Sequence, residues 1–238
     1  MRVSKRALRT LPGMLLLEML TQVITLAFIG IGALIKATGS SAAADVTVLA
    51  SGLVLLAIWM TGAVCLYGIM DLSKYFRYSW YLHIVYFVIK AVVLVLDGIS
   101  AVMGEGISQE TLNLFGAAAD FLSSVRELSG IAAQCLVMLG FRTLLEKLGE
   151  RDFGRKCRKY VHIFLIVGIL FFLNNITGLV IQLLIPAPAD QPAVEYLPVL
   201  VIYAILNIFT TAVSIPAFLT ARKSCKTIYG TLRKAQVE

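Results

Sequence analysis

The two histidines of the chain stand in nearly identical tetrapeptides, "YLHI" at 81–84 and "YVHI" at 160–163. Paired imidazoles can ligate a haem iron or a metal ion, so a di-histidine haem protein is one hypothesis. The simpler hypothesis is duplication, because tyrosine and histidine have apolar rings with polar tips that suit a membrane–water interface. We favour the second, and predict an interfacial repeat made of Tyr81, His83, Tyr160 and His162, with no bound cofactor.

A stripe of ionisable residues begins at the first of these histidines. His83, Lys90 and Asp97 are spaced by seven residues, and a helix drifts only about 20° over seven residues, so the three share one face. Each ionisable group at membrane depth costs about 3 kcal/mol and therefore faces protein or water rather than lipid. The spacing predicts that this face points into the protein.

Partners for the stripe follow from depth along the helices. Glu18 is predicted to lie roughly 8 Å from the start of its helix and Lys90 roughly 13 Å from the start of its own, within side-chain reach of each other. Asp97 is expected to meet Arg126, and asparagines on later helices could add interhelical hydrogen bonds. The candidate solute or ion pathway is Glu18, Lys90, Asp97, Arg126, Glu127, Asn174, Asn175 and Asn207. The alternative is that these groups form structural pairs that only fix the helix register.

The composition explains what must position these residues. The 238-residue chain is 59% hydrophobic and 15% charged, and its mean hydropathy is +0.86, whereas soluble domains carry about 25% charged residues. We predict an all-α integral membrane protein, a single six-transmembrane-helix bundle over 1–238 with a basic cytoplasmic tail at 221–238. The predicted spans are 13–35, 46–70, 81–103, 117–141, 160–185 and 196–220.

The fourth span is open to a second interpretation. Arg126 and Glu127 interrupt its apolar run, so the alternative is an amphipathic outer-surface helix near 107–119 followed by a shorter span. The first apolar run is longer than the 7–15 apolar residues of a secretion signal and lacks a small-residue cleavage site. We therefore expect it to remain as a helix.

Basic residues cluster in alternate gaps between the apolar runs. The N-terminal arm, the second and fourth gaps and the tail hold nearly all of them, whereas the opposite gaps hold Lys36 alone. This bias predicts a plasma-membrane protein with both termini in the cytoplasm. It also explains the net charge of +7 by attraction to anionic inner-leaflet lipids, so no nucleic-acid partner is expected.

The stretches before the two tetrapeptides are also alike. Each begins at a glycine that ends an even-numbered span and continues through a patch of leucine, lysine and other basic residues. We predict repeated two-helix hairpins made of spans 1–2, 3–4 and 5–6, as in some transporters. The first hairpin has no Tyr-x-His-Ile, which leaves a threefold repeat open.

The sequence contains none of the catalytic motifs that we sought. Neither a Walker loop, nor His-Glu-x-x-His, nor Gly-x-Ser-x-Gly occurs, and the four cysteines form no Cys-x-x-Cys pair. We expect no enzyme and no metal site. Two functional hypotheses remain: a small transporter, or the membrane subunit of one, that uses the polar stripe; or a non-catalytic membrane subunit that binds a protein partner through its basic cytoplasmic loops.

Overall fold

Six α-helices account for almost all of the chain that the computed structural model describes, namely residues 5–37, 41–103, 109–147, 149, 151–184 and 197–234. A short 3-10 turn, Met70–Leu72, joins the second helix to the third, and no strand occurs in the described residues. The helices are α1 Lys5–Ala37, α2 Ser41–Tyr67, α3 Lys74–Met103, α4 Gln109–Lys147, α5 Arg151–Leu184 and α6 Leu197–Lys234.

The apolar side chains of these helices face outward to an unusual degree. Leu53, Val64 and Ile205 are all more than half exposed, although leucine, valine and isoleucine are among the residue types most often buried in soluble domains. Helices α2 to α6 are long and apolar enough to cross a membrane, and α1 contains a shorter apolar stretch, Pro12–Phe28. The candidate spans are Ala50–Tyr67, Lys74–Leu96, Leu114–Lys147, Gly154–Val180 and Val201–Lys226.

Helix α4 continues through the two charged residues that interrupt its apolar run. A surface helix near 107–119 followed by a separate short span is therefore wrong for the described part, which is one helix from Gln109 to Lys147. The burial of α4 gives the reason, since 61% of its candidate span is buried against 17–28% for the other four. Charged residues are tolerated on α4 because it packs against protein on most sides.

The helices pack in chain order and close into a ring. Each packs against the next, and α6 returns to pack against α1. All six meet in an apolar core at the end where α1, α3 and α5 begin and where α2, α4 and α6 end. Members of this core include Met14, Leu66, Phe76, Phe141, Phe164 and Phe218.

A glycine permits the closest approach within the apolar core. A Cβ atom added to Gly140 on α4 would lie 2.5 Å from Cε1 of Phe76 on α3, well inside van der Waals contact. The Phe76 ring in turn packs edge-on against Phe141, with 5.3 Å between the ring centroids. Ring-to-backbone packing therefore joins α3 and α4 at this end.

The basic residues lie largely on the helices rather than in separate surface segments. Lys74 begins α3, α4 reaches Lys147, and α5 begins at Arg151. The predicted tail is helical as far as Lys234, because α6 continues to that residue. The hairpin repeat stays a prediction.

Candidate functional site

A cavity of about 550 Å³ lies inside the helix ring, and all six helices contribute to its lining. Four predicted pathway residues line it: Lys90 of α3, Arg126 and Glu127 of α4, and Asn207 of α6. These residues come from three different helices, so the fold brings them to one space. The volume lies within the range of small-molecule sites.

Glu127 is the most highly connected polar residue of this cavity. Tyr203 on α6 donates its hydroxyl to Oε1 over 2.8 Å, and Asn175 on α5 donates Nδ2 to Oε2 over 2.7 Å. Nη2 of Arg126 lies 3.5 Å from Oε1. The carboxylate therefore joins three helices, and these partners offset the cost of holding a charge inside the protein.

A second cavity, of about 330 Å³, shares part of this lining. Arg126, Glu127 and Tyr203 border both cavities, whereas Asn174 and Asn175 border the second. The Glu127 contacts thus form the partition between the two spaces. Opening the partition would require the hydrogen bonds from α5 or α6 to break.

Two stacked aromatic rings form another wall of the larger cavity. The Trp59 and Tyr86 rings lie 3.8 Å apart at an angle of 14°, and the Arg126 guanidinium lies 5.9 Å from the Tyr86 centroid. A Cβ added at Gly130 would stand 3.2 Å from Cε2 of Tyr86. The absence of a side chain at this position lets the stacked pair lie close to α4.

Glu18 and His83 form a buried pair beside this wall. Oε1 of Glu18 lies 3.3 Å from Nε2 of His83, and the two residues are 3% and 1% exposed. The structure thus places Glu18 against His83 rather than in the predicted pairing with Lys90, and it places His83 in the interior rather than at an interface. Two members of the stripe, His83 and Lys90, face inward, but depth alone could not identify which of them meets α1.

The second copy of the tetrapeptide has a different environment. His162 is exposed, and its Nδ1 lies 2.7 Å from the carbonyl oxygen of Arg158, one turn earlier on α5. Tyr81 is exposed as well, whereas Tyr160 packs against the apolar core. A haem held between the two histidines would need both imidazoles to face one space, and their contacts do not meet that condition.

The asparagines and hydroxyls divide into two groups. Asn174 donates to the carbonyl of Val199 over 3.2 Å and so joins α5 to α6, as Asn175 joins α5 to α4. Asn207 instead donates to the carbonyl of Tyr203 on its own helix, as do Thr210, Thr211 and Ser214 to the carbonyls four residues before them. This hydrogen bond of Asn207 lies within α6, and the interhelical role predicted for Asn207 stays a prediction.

One predicted residue lies outside the described side chains. Asp97 belongs to α3, but its side chain is not among those that the structure describes, so the proposed pairing with Arg126 stays a prediction. In the described part of the chain, no group of three or more His, Cys, Asp or Glu side chains could hold a metal. The cysteines are free, and Cys157 donates to the carbonyl of Met138 over 3.1 Å.

The aromatic residues of the site are not among those predicted from the sequence. Tyr86 could have been found, because it lies three residues after His83 and four before Lys90 on the same helical face. Tyr203 precedes Asn207 by four residues and could have been found in the same way. Gln134 also lines the cavity, and it could have been found because it follows Glu127 by seven residues.

No protein-family model, curated protein or solved structure matches the chain. The class of protein therefore follows from the molecule itself. Several helices are long and apolar enough to cross a membrane, and they surround a cavity that also has charged lining residues; this is the architecture of a multi-pass α-helical membrane protein.

Proposed function

We propose that the protein is a small transporter, or the membrane subunit of one, in the plasma membrane. In this proposal α1 is the first of six spans, and both termini lie in the cytoplasm, as the distribution of basic residues favours. The observation that carries the proposal is the cavity of about 550 Å³ to which all six helices contribute and which Lys90, Arg126 and Glu127 line. Polar and ionisable groups at membrane depth are costly, and in membrane proteins they mark substrate and ion pathways.

The relation between the cavity and the apolar core supports a transport cycle. The apolar core seals the end of the ring that the charge bias assigns to the cytoplasm. Lining residues such as Thr25, Ser51 and Arg126 lie on the other side of that core along their helices. A solute would enter from the outer side, reach Lys90 and Glu127, and leave after the helices separate at the apolar core.

The first test uses cysteine accessibility on one helix. Asn207 lines the cavity, whereas Ile205, two residues earlier on α6, is more than half exposed on the outward surface. Asn207→Cys and Ile205→Cys are introduced together with Cys65→Ala, since the other three native cysteines are buried. Each variant is treated with a membrane-impermeant thiosulfonate in right-side-out and in inside-out vesicles.

A transport pathway predicts that Cys at position 207 reacts from both sides, while Cys at 205 reacts from neither because it faces lipid. Modification of the 207 variant from one side only would indicate a blind pocket and would contradict transport. Modification from neither side would mean that the cavity is closed, and it would contradict the proposal equally.

The second test measures uptake into proteoliposomes. Labelled amino acids, sugars, carboxylates and inorganic ions are offered to the wild type, to Lys90→Leu and to the control Lys156→Leu, whose lysine is exposed at the beginning of α5. We expect the wild type and the control to take up at least one class, and Lys90→Leu to lose that uptake. Full uptake by Lys90→Leu would overturn the pathway, and no uptake by the wild type would count against transport.

An exposed basic surface favours a second function. The side chains of Arg155, Lys156, Arg158 and Lys159 are all exposed near the beginning of α5, around the buried Cys157. We propose as the alternative that this surface binds anionic lipids and a protein partner in a non-catalytic membrane subunit. Reversing the charge of Arg155, Lys156 and Arg158 should then release a protein that copurifies in mild detergent, and Lys90→Leu should not. If Lys90→Leu released the copurifying protein and the charge reversal did not, the partner-binding function would be contradicted.

A further inference from the structure

The hydrogen bonds around His83 fix the position of one of its protons. Nδ1 lies 2.9 Å from the carbonyl oxygen of Ser79, an atom that can only accept. The Ser79 hydroxyl, 3.4 Å from the same nitrogen, donates to the carbonyl of Ala133 over 2.9 Å. Nδ1 must therefore carry a proton and donate it, so Nε2 is the nitrogen whose protonation can vary.

Nε2 is the atom that faces Glu18. If the 3.3 Å between Nε2 and Oε1 of Glu18 held no proton, a nitrogen lone pair would face a carboxylate in a buried site, which is strongly unfavourable. One proton resolves the conflict in either of two positions. On Nε2 it makes an imidazolium–carboxylate pair, and on Oε1 it makes a neutral carboxylic acid that donates to a neutral imidazole.

Helices α1, α2 and α4 all contribute to the described surroundings of His83. Around His83, α2 contributes Trp59 and Gly62, α1 contributes Met14 beside Glu18, and α4 is reached through the bond from Ser79 to Ala133. In the part of the chain that the structure describes, the contacts of His83 include one carboxylate, Glu18. The charged cavity residues lie farther along, with Lys90 two helical turns beyond His83 and Arg126 over the Tyr86 ring.

The pair also lies at the boundary between the apolar core and the cavity. Met14 belongs to the apolar core and Thr21 lines the cavity, and Glu18 lies between them on α1. Trp59 makes the link on the other side, because its ring lies 4.5 Å from the His83 ring and also lines the cavity. A change in the position of Trp59 would therefore reach the cavity and the pair together.

We propose that Glu18 and His83 form a proton-binding site that is coupled through Trp59 to the contents of the cavity. The site binds one exchangeable proton between Nε2 and Oε1. When that proton leaves to solvent in the cavity, a neutral imidazole protonated at Nδ1 and a carboxylate remain, with one unit less positive charge. The use of this proton in transport depends on the proposed function, whereas the site itself is tested without any solute.

The first experiment is nitrogen-15 NMR of histidine in the detergent-solubilised full chain. Because the chain has two histidines, His162→Gln leaves His83 as the single labelled imidazole. We expect Nδ1 to be protonated, together with either a protonated Nε2 or an infrared carboxylic-acid band from Glu18. Glu18→Gln should abolish whichever of the two signatures is present.

Two results would overturn the proton site. One is a His83 imidazole that is protonated at Nε2 and unprotonated at Nδ1. This result is measured in protein that retains Glu18, so it does not depend on whether Glu18→Gln folds. The other is a His83 spectrum that is the same in Glu18→Gln, in protein whose helical circular dichroism is unchanged. Either outcome leaves the cysteine accessibility test of transport unaffected, so the two proposals fail separately.

The second experiment tests the coupling through Trp59. The chain has two tryptophans, and Trp80→Phe leaves Trp59 as the sole emitter. Since a protonated imidazole in contact with an indole quenches its fluorescence, we expect one pH-dependent step in emission that disappears in Glu18→Gln and persists in His162→Gln. Emission without such a step, in protein whose NMR shows the proton site, would overturn the coupling.

Discussion

The two Tyr-x-His-Ile segments have nearly the same sequence and opposite environments. In the first, His83 is buried against Glu18 and Trp59, whereas in the second His162 is exposed on the outside of α5. The residues one turn before the two histidines differ in burial in the same way. Ser79 is buried and bonded to α4, while Arg158 is exposed. The environment therefore follows from the face of the helix on which the tetrapeptide lies.

The inward faces of the two helices are offset by one residue. On α3 the inward stripe contains Phe76, Ser79 and His83, whereas on α5 it contains Cys157, Val161 and Phe164. A shift of one residue rotates a helical position by about 100°, which is enough to move a histidine from the interior to the surface. An alignment of the two tetrapeptides thus does not align the faces that pack.

The largest contrast between the segments is expected in histidine reactivity. Treatment with diethyl pyrocarbonate should modify His162 more than about tenfold faster than His83, because His83 reacts only when the helices open locally. Mass spectrometry of the two peptides measures both rates in one sample. Equal rates would contradict the buried position of His83.

The same substitution in both copies should separate their energetic roles. His83→Leu leaves Glu18 buried without its partner and should reduce the free energy of unfolding by about 3–5 kcal/mol, while His162→Leu should change it little. Denaturant titration in detergent, followed by circular dichroism, measures both variants. Adding Glu18→Leu to His83→Leu should restore part of the loss, and a purely additive further loss would show that the pair is not coupled.

Substitutions one turn before each histidine should also differ in their effect on the free energy of unfolding, but by less than the histidine substitutions do. Ser79→Ala removes a buried hydrogen bond to the Ala133 carbonyl and should cost about 1 kcal/mol. Arg158→Ala, at the equivalent position of α5, removes an exposed side chain and should have little effect. The same denaturant titration compares them, and a larger loss for Arg158→Ala would reverse the assignment of inward and outward faces.

The smallest effect is expected at the glycine that faces His83. A Cβ at Gly62 would lie 3.7 Å from Cδ2 of His83, an ordinary contact, and alanine is favoured over glycine in a helix by about 0.5–1 kcal/mol. Gly62→Ala should therefore be neutral or slightly stabilising, with the His83 NMR signal unchanged. A marked loss of stability would show that the site has less space than its contacts indicate.

The apolar helices and the inward direction of His83 and Lys90 could be predicted, but the pairings could not. Hydropathy locates the apolar stretches of the helices, five of which are long enough to cross a membrane, and the cost of charge in lipid favours an inward position for Lys90 and Glu127. The partner of Glu18 depends on which helices are neighbours and on their rotation, and the spacing within one helix determines neither. The burial of α4 likewise follows from its place among the others rather than from its own residues.

The contact between Gly140 and Phe76 sets a condition on any passage through the sealed end. In the proposed transport cycle, water or an ion would have to part aromatic rings that rest directly on a helix backbone, and an apolar constriction of this kind excludes ions by staying dry. A single methyl group in place of the glycine hydrogen would hold the Phe76 ring away from α4. The closeness of α3 and α4 at this end thus depends on one hydrogen atom that the side-chain chemistry of the chain does not reveal.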